Sequence, residues 1–238
     1  MIDIHAHVIP GLDDGSPDMA TSLEMCRMAA ADGITDVVAT PHYQNGVGVS
    51  SVSVIPPALD ALRDALKQAG IPLRLHMALE MPLREDYLPL YRDGTWLAYD
   101  ATRKYILLEC PAFPMQGVAI LSRAVERLVQ AGAVPVLAHP ERLPFLDNPA
   151  DAGAIRRLGA PFQITAQALD SPSPSGHRAR AWLERGWVDF IATDAHGIHR
   201  RPPCLSRARD FVAGRFGERA AETLTTRNPQ KILAGEPL

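Results

Sequence analysis

The sequence predicts an α/β fold, a seven-stranded β/α barrel, and three observations carry that prediction. Short apolar segments alternate with helical ones along nearly the whole chain. Those segments have the apolar character of strands buried in a parallel sheet. No linker-like stretch separates two halves, so the 238 residues are expected to form one domain, 1–238.

The first strand is marked by Ile2 and Ile4, which alternate with polar neighbours; the period of two then puts His5 and His7 on one face at its carboxyl end. Asp13 and Asp14 follow in a turn bounded by Gly11 and Gly15. A helix capped by Ser16 or Asp18 runs to about Asp32, where Gly33 stops it. Residues 35–39 are a short β-branched strand leading into Thr40-Pro41-His42. Residues 44–57, rich in Gly, Ser and Val, read as a loop of the length that often forms a lid. A helix over 58–69 and a strand over 72–79 deliver Glu80. A short helical or irregular piece at 84–94 precedes a strand at 104–108, which ends in Glu109 and Cys110-Pro111. Then come a helix at 118–131, a strand at 134–138 ending in His139-Pro140-Glu141-Arg142, and a helix at 149–158. A sixth strand covers 161–165, a helix 175–185, and a seventh strand 188–193, ending in Asp194-Ala195-His196. Helices at 205–216 and 218–225 and a terminal one opened by Asn228-Pro229 complete the chain.

In barrels of this kind chemistry sits at the carboxyl ends of the strands, where the loops converge on one mouth. His5, His7, Asp14, His42, Glu80, Glu109, His139, Asp194 and His196 all lie at or just after predicted strand ends. Each has a bland reading as a strand-end polar residue, and for Glu80 or Glu109 alone that reading is favoured; nine together point to a polynuclear metal site. Imidazoles and carboxylates without thiolates suit Mn²⁺, Fe²⁺ or Zn²⁺, and such a cluster serves hydrolysis. Arg142 and Arg201 are strand-end basic residues whose guanidinium forks match phosphate oxygens. His76 lies four residues below Glu80 on the same strand face and reads as a hydrogen-bonded structural ring; His177 and His199 read as solvated.

Composition narrows the partners. A net charge of -3 gives no electrostatic reason to expect nucleic acid or an anionic membrane. No stretch reaches the ~18 apolar residues of a membrane span, and the chain enters a strand without a leader-like segment, so a cytoplasmic protein is expected. Cys26, Cys110 and Cys204 are odd in number and widely spaced, against a disulfide framework. A cysteine phosphatase needs Arg six residues after its nucleophile, and those positions hold Asp32, Gln116 and Asp210.

Nine stretches together resemble a known family: D-I-H-A-H-V-I-P-G-L-D-D-G from Asp3, A-T-P-H at His42, L-E-M at Glu80, Y-I-L-L-E at Glu109, A-H-P-E-R at His139, F-Q-I-T-A from Phe162, A-T-D-A-H at His196, R-P-P at Arg201 and N-P-x-x-I-L from Asn228. The chain resembles the PHP (polymerase and histidinol phosphatase) metal-dependent phosphoesterases, and within them bacterial tyrosine-protein phosphatases of the CpsB/CapC/YwqE type. The resemblance implies a distorted seven-stranded barrel of the PHP type holding three divalent metal ions, Mn²⁺ first, with Fe²⁺ or Zn²⁺ as alternatives. It implies that His5, His7, Glu80 and Asp194 hold one ion, that Glu80 reaches a second beside Glu109 and His139, and that Asp14, His42 and His196 hold the third. Arg142 and Arg201 would steady the phosphate, and the substrate would be a phosphotyrosine protein, a tyrosine kinase controlling capsule or exopolysaccharide assembly. An oligomer is compatible with this reading. The chain departs from the family at Ala6, Ala78 and Leu143 and in the segment after His42, none of them ligand positions. A phosphatase of a small molecule such as histidinol phosphate would keep every ligand and differ at the pocket rim. An amidohydrolase shares the H-x-H opening but usually has another ligand where this chain has Glu109. A catalytically silent, metal-stabilised partner protein would lose stability on chelation without any turnover to lose.

Overall fold

The structure is a computed structural model that describes residues 1–44, 46–110 and 117–238. Asn45 in the expected loop, Pro111 after Cys110, and Gln116 lie outside the described residues. The strands are β1 (Ile2–Ala6), β2 (Asp36–Ala39), β3 (Arg74–Met77), β4 (Glu80–Pro82), β5 (Tyr105–Glu109), β6 (Val134–Ala138), β7 (Phe162–Thr165) and β8 (Val188–Ala192). The helices are α1 (Met19–Ala31), α2 (Ile55–Gln68), α3 (Tyr87–Asp93), α4 (Val118–Gln130), α5 (Pro149–Arg157), α6 (Pro174–Glu184), α7 (Ser206–Phe216), α8 (Glu218–Glu222) and α9 (Asn228–Ala234). The expected alternation of strand and helix is therefore present, and every strand pair is parallel.

The expected seven strands are not found one for one. The described residues form eight strands in two sheets, β1-β2-β3 and β4-β5-β6-β7-β8. The expected third strand is broken in two. The Ala78 amide still donates to Ala39 of β2, but the Leu79 amide turns away to Leu97, and the chain enters the second sheet only at Glu80. Glu80 thus opens a strand instead of following one. The two sheets meet at two seams. At one, Ala6 bridges Ala195, with the His7 amide donating to Ala195 and the Asp194 amide to His5. At the other, His42 bridges Glu80. Both seams fall on expected site residues, so the joints of the fold and the positioning of the site are one set of hydrogen bonds.

Other differences have local causes. Asp18, not Ser16, caps α1, its carboxylate accepting from the Thr21 amide. Helix α2 starts at Ile55 because Pro56 and Pro57 occupy its first turn, where a fixed φ suits the helix and a missing N–H costs nothing. The expected loop is correspondingly shorter, and it ends in a 3₁₀ turn at Val52–Val54. The last expected helices are nearly continuous, α8 passing through a π-type turn at Thr223–Arg227 into α9.

A core cluster that includes Ile2, Ile4, Val38, Leu107, Val136, Phe190 and Ala192 gathers from five strands, with Ile232 of α9 packed into it. By the period of two, the face of β5 that carries Leu107 ends in Glu109. A larger cluster fills the space between strands and helices and includes Met25, Leu62, Leu108, Leu128, Ile155 and Trp182. No described helix is long and apolar enough to cross a membrane.

At the far end of the strands, Asp36 accepts from Arg74 Nε at 2.7 Å and Nη2 at 2.6 Å and from Thr35 Oγ1 at 2.8 Å, and His76 Nε2 lies 2.9 Å away. His76 is thus the structural ring expected. Burial works to raise the Asp36 pKa, but these partners hold it down at about 2. A depressed folded-state value means stabilisation that is present above the unfolded pKa near ~4 and lost as pH falls towards 2. The stability difference between the wild type and Asp36→Asn in urea titrations should therefore shrink by about 1 kcal/mol between pH 5 and pH 2.5, discounted for partly exposed partners. A difference independent of pH would contradict the assignment.

Candidate metal centre

Each expected residue reaches the centre by a short path from a strand. The main chain doubles back after β1, the Ser16 amide donating to the carbonyl of His7. Gly15 makes that approach possible, since a Cβ there would lie 2.3 Å from His7 Cβ. A similar fold-back brings the Val49 amide to the His42 carbonyl, and a Cβ on Gly48 would lie 2.2 Å from that same oxygen. His139, Asp194 and Arg201 all have positive φ, at 33°, 50° and 54°. For non-glycine residues that backbone costs of order 1–3 kcal/mol, and its concentration on site residues marks geometry held in place by the surroundings.

Glu80 is fully buried at the centre of the cluster. Its Oε2 lies 3.1 Å from His5 Nε2, 3.2 Å from His7 Nε2 and 3.0 Å from His42 Nδ1, and its Oε1 lies 3.1 Å from His139 Nε2. Asp194 Oδ1 is 3.3 Å from His5 Nε2 and 3.4 Å from His7 Nε2. Asp14 Oδ1 lies 3.4 Å from His196 Nε2 and 3.5 Å from His42 Nε2, and Glu109 Oε2 lies 3.8 Å from His42 Nδ1. All nine expected residues fall into four overlapping groups with metal-ligand spacing: His7-Asp14-His42-His196, His5-His7-Glu80, His5-His139-Asp194 and His42-Glu80-Glu109. The grouping differs from the expected one. His7 joins the third set, and His139 gathers with His5 and Asp194 apart from Glu109, because Glu80 divides its two oxygens between His139 and the other rings.

Three imidazoles have their outer nitrogen engaged. His5 Nδ1 lies 2.9 Å from Gln163 Oε1, His7 Nδ1 2.6 Å from Asp13 Oδ2, and His196 Nδ1 2.8 Å from the Asp194 carbonyl. A ring that donates through Nδ1 presents a lone pair at Nε2, and this is how histidine ligands are usually oriented. The His196 Nε2 atom is buried without a hydrogen-bond partner, as are Glu80 Oε2 and His42 Nδ1, whose close approach lacks hydrogen-bond alignment. Buried orphans of this kind are costly unless a cation satisfies them. A nitrogen and oxygen donor set without thiolate fits a hard or borderline divalent ion. Cys110 belongs to none of the groups, and burial pushes its thiol up to about 12.

Charge follows the same geometry. Burial works against ionisation of Glu80 and Asp194, yet the surrounding imidazoles hold both well below the usual carboxylate range. Burial and the neighbouring His7 push His196 down to about 3, which keeps it neutral and able to donate a lone pair. Burial, then Glu80, raises Glu109. At the rim, Arg142 Nη2 and Arg201 Nη1 both donate to Asp194 Oδ2, at 2.6 and 2.8 Å. Two guanidinium groups thus stand beside the cluster with part of each still open to solvent.

Three contributors escaped the sequence reading. Asp13 orients His7, accepts from the His42 amide and is held at about 2, burial being outweighed by His7. Its adjacency to Asp14 in one turn gave no means of choosing between them. Gln163 faces His5, and a polar residue inside an apolar strand was the available signal. Glu141, fully buried, accepts from the amide and hydroxyl of Thr165 and so ties the turn carrying His139 and Arg142 to the end of β7.

A family model for capsular polysaccharide synthesis, CpsB/CapC, matches residues 1–234. The chain belongs to the CpsB/CapC family. It is 32% identical over 244 residues to the tyrosine-protein phosphatase YwqE of Bacillus subtilis, covering 100% of this chain and 93% of that protein. It is 28% identical over 244 residues to the tyrosine-protein phosphatase CpsB of Streptococcus pneumoniae, covering 98% of each. A solved structure from work on YwqE and the pneumococcal CpsB, described as metal-dependent tyrosine phosphatases, superposes with a TM-score of 0.91 at 30% identity over 100% of this chain and 96% of that one. A phosphotriesterase from Mycobacterium tuberculosis shares the fold, at a TM-score of 0.54 and 13% identity over 98% of this chain and 93% of that one.

The Asp13–His7 contact makes a specific prediction. Asp13→Asn should raise the concentration of divalent cation needed for half-maximal activity by about 10–100-fold, as loss of a partner that orients a ligand typically does. An unchanged cation requirement would remove Asp13 from that role.

Proposed function

We propose that this chain is a metal-dependent phosphomonoester hydrolase acting on phosphotyrosine in proteins, and that its partner is a bacterial tyrosine kinase controlling capsule or exopolysaccharide synthesis. The observation that carries the reading is the convergence of nine nitrogen- and oxygen-donor side chains beside two guanidinium groups that share one carboxylate oxygen. Relatives named as tyrosine-protein phosphatases, matched over nearly the whole chain, support the substrate class. We read β3 and β4 as one interrupted stave, so that the two sheets make a distorted seven-stave barrel and residues 1–238 one domain. Cys26, buried and outside any disulfide, suits a reducing cytoplasm.

His5, His7, Asp14, His42, Glu80, Glu109, His139, Asp194 and His196 would hold the ions, three by analogy with the family and manganese by preference. Divalent ions there supply Lewis-acid polarisation of the phosphoryl group and lower the pKa of water. The remaining work falls to the chain. Arg142 and Arg201 bind the phosphate oxygens, and Asp194 keeps both guanidinium groups aimed at the mouth before substrate arrives. Asp13 and Gln163 fix the rings of His7 and His5, so those imidazoles need not reorganise during turnover. A tyrosine phenolate, with an aqueous pKa of about 10, leaves with far less proton assistance than a serine alkoxide. That chemistry favours aryl phosphates.

Two outcomes are expected. On manganese-loaded protein, kcat/KM for a phosphotyrosine peptide should exceed that for a phosphoserine peptide or histidinol phosphate; preference for histidinol phosphate would move the chain to small-molecule chemistry. Arg142→Ala should lower kcat/KM by about 10²–10³-fold, ~3 kcal/mol, with metal content unchanged. Turnover equal to the wild type would exclude Arg142 from the phosphate site.

A further inference from the structure

A cavity of about 580 Å³ opens where β4 leaves the metal cluster. Its near wall is Leu83, one residue beyond β4, whose amide donates to the carbonyl of Glu109 at 2.7 Å. Glu109 is a member of the cluster, so one backbone hydrogen bond links the cavity's edge to a cluster residue. Tyr87 supplies an apolar side, and α4 contributes Ile120, Arg123 and Arg127. Ile120, 48% exposed, adds an apolar side chain to the lining.

The charge in the cavity is unbalanced. Arg123 and Arg127 are one helical turn apart and exposed, and neither has a carboxylate partner among the described residues. The Arg127 guanidinium lies 5.8 Å from the Tyr87 ring centre, which orients its planar fork while leaving the edge donors open. Arg84, the third cation of the lining, is committed to Asp86 and Gln44. Among the described residues, Glu85 is the one acid in the lining.

Resting on the phosphotyrosine reading above, we infer that this cavity is the docking surface for the acidic flank of the phosphopeptide substrate, with Arg123 and Arg127 pairing to Asp or Glu residues close to the phosphotyrosine. A phosphotyrosine held at the cluster must leave its flanking chain on the adjoining surface, and this cavity begins at the cluster's own strand. Two unpaired guanidinium groups beside an apolar floor complement carboxylate side chains on an extended peptide. Exposed pairs of this kind change affinity by about two- to fivefold each and weaken with salt.

The test compares phosphotyrosine peptides flanked by Asp/Glu with ones flanked by Lys, beside 4-nitrophenyl phosphate, which has no flank. The wild type should show a KM lower by about four- to twentyfold for the acidic peptide, a preference that shrinks in 0.5 M salt. Arg123→Ala/Arg127→Ala should abolish that preference and leave 4-nitrophenyl phosphate turnover unchanged. Arg123→Glu/Arg127→Glu should reverse it. A wild type indifferent to flanking charge, or a preference that survives in the double alanine variant, would overturn the inference while the phosphatase reading stands. Failure of the wild type to hydrolyse any phosphotyrosine peptide would instead strike the reading on which it rests.

Discussion

One buried carboxylate organises this molecule. Glu80 is inaccessible to solvent and meets four imidazoles with two oxygens, each contact between 3.0 and 3.2 Å. A carboxylate that deep is costly unless its charge is matched, and the rings of His5, His7, His42 and His139 supply the match only if every one of them is held in position. Much of the architecture supplies that holding. The chain leaves the first sheet at Ala78-Leu79 so that Glu80 enters the second sheet beside His42, and the seam between β1 and the segment after β8 sets His5 and His7 against Asp194. Backbone that would be unfavourable elsewhere, at His139, Asp194 and Arg201, is retained at the same place.

The arrangement separates stability from chemistry along the strand axis. The cluster around Leu107, Val136 and Phe190 is apolar, and the polar donors begin at the ends of the same strands. Changes at the mouth can therefore alter the site without emptying the core. The concentration of unlike charge also explains why neighbouring groups shift in opposite directions. The imidazoles drive Glu80 and Asp194 down, whereas burial and Glu80 move Glu109 up. Such a cluster of nitrogen and oxygen donors binds a multivalent cation in competition with protons.

Much of this was legible in the sequence, for a physical reason. Parallel strands buried on both faces leave few polar residues, so those at strand ends stand out, and all nine expected donors lie in the observed groups. What was not legible depends on hydrogen bonds between distant segments. Nothing local in Leu79 says that its amide will turn to Leu97, so the appearance of β3 and β4 in two sheets, where one strand was expected, could not be read from period alone. The early start of α2 was readable, because Pro56-Pro57 is a helix-opening pair, but the Gly- and Ser-rich context pulled the assignment towards loop. Gln163 and Glu141 act through contacts 158 and 24 residues away, and only the fold reveals those partners.

Phosphatase activity should depend on divalent ions held by the nine donors, Glu80 among them. The most direct test of that dependence is a titration of chelator-stripped protein with Mn²⁺, reading bound ions per chain and turnover of a phosphotyrosine peptide together, in the wild type and in Glu80→Gln. The stripped wild type should show no turnover and recover in step with bound ions, and the variant should bind fewer ions and stay inactive. Undiminished turnover in the stripped protein, or full recovery in Glu80→Gln, would contradict that dependence.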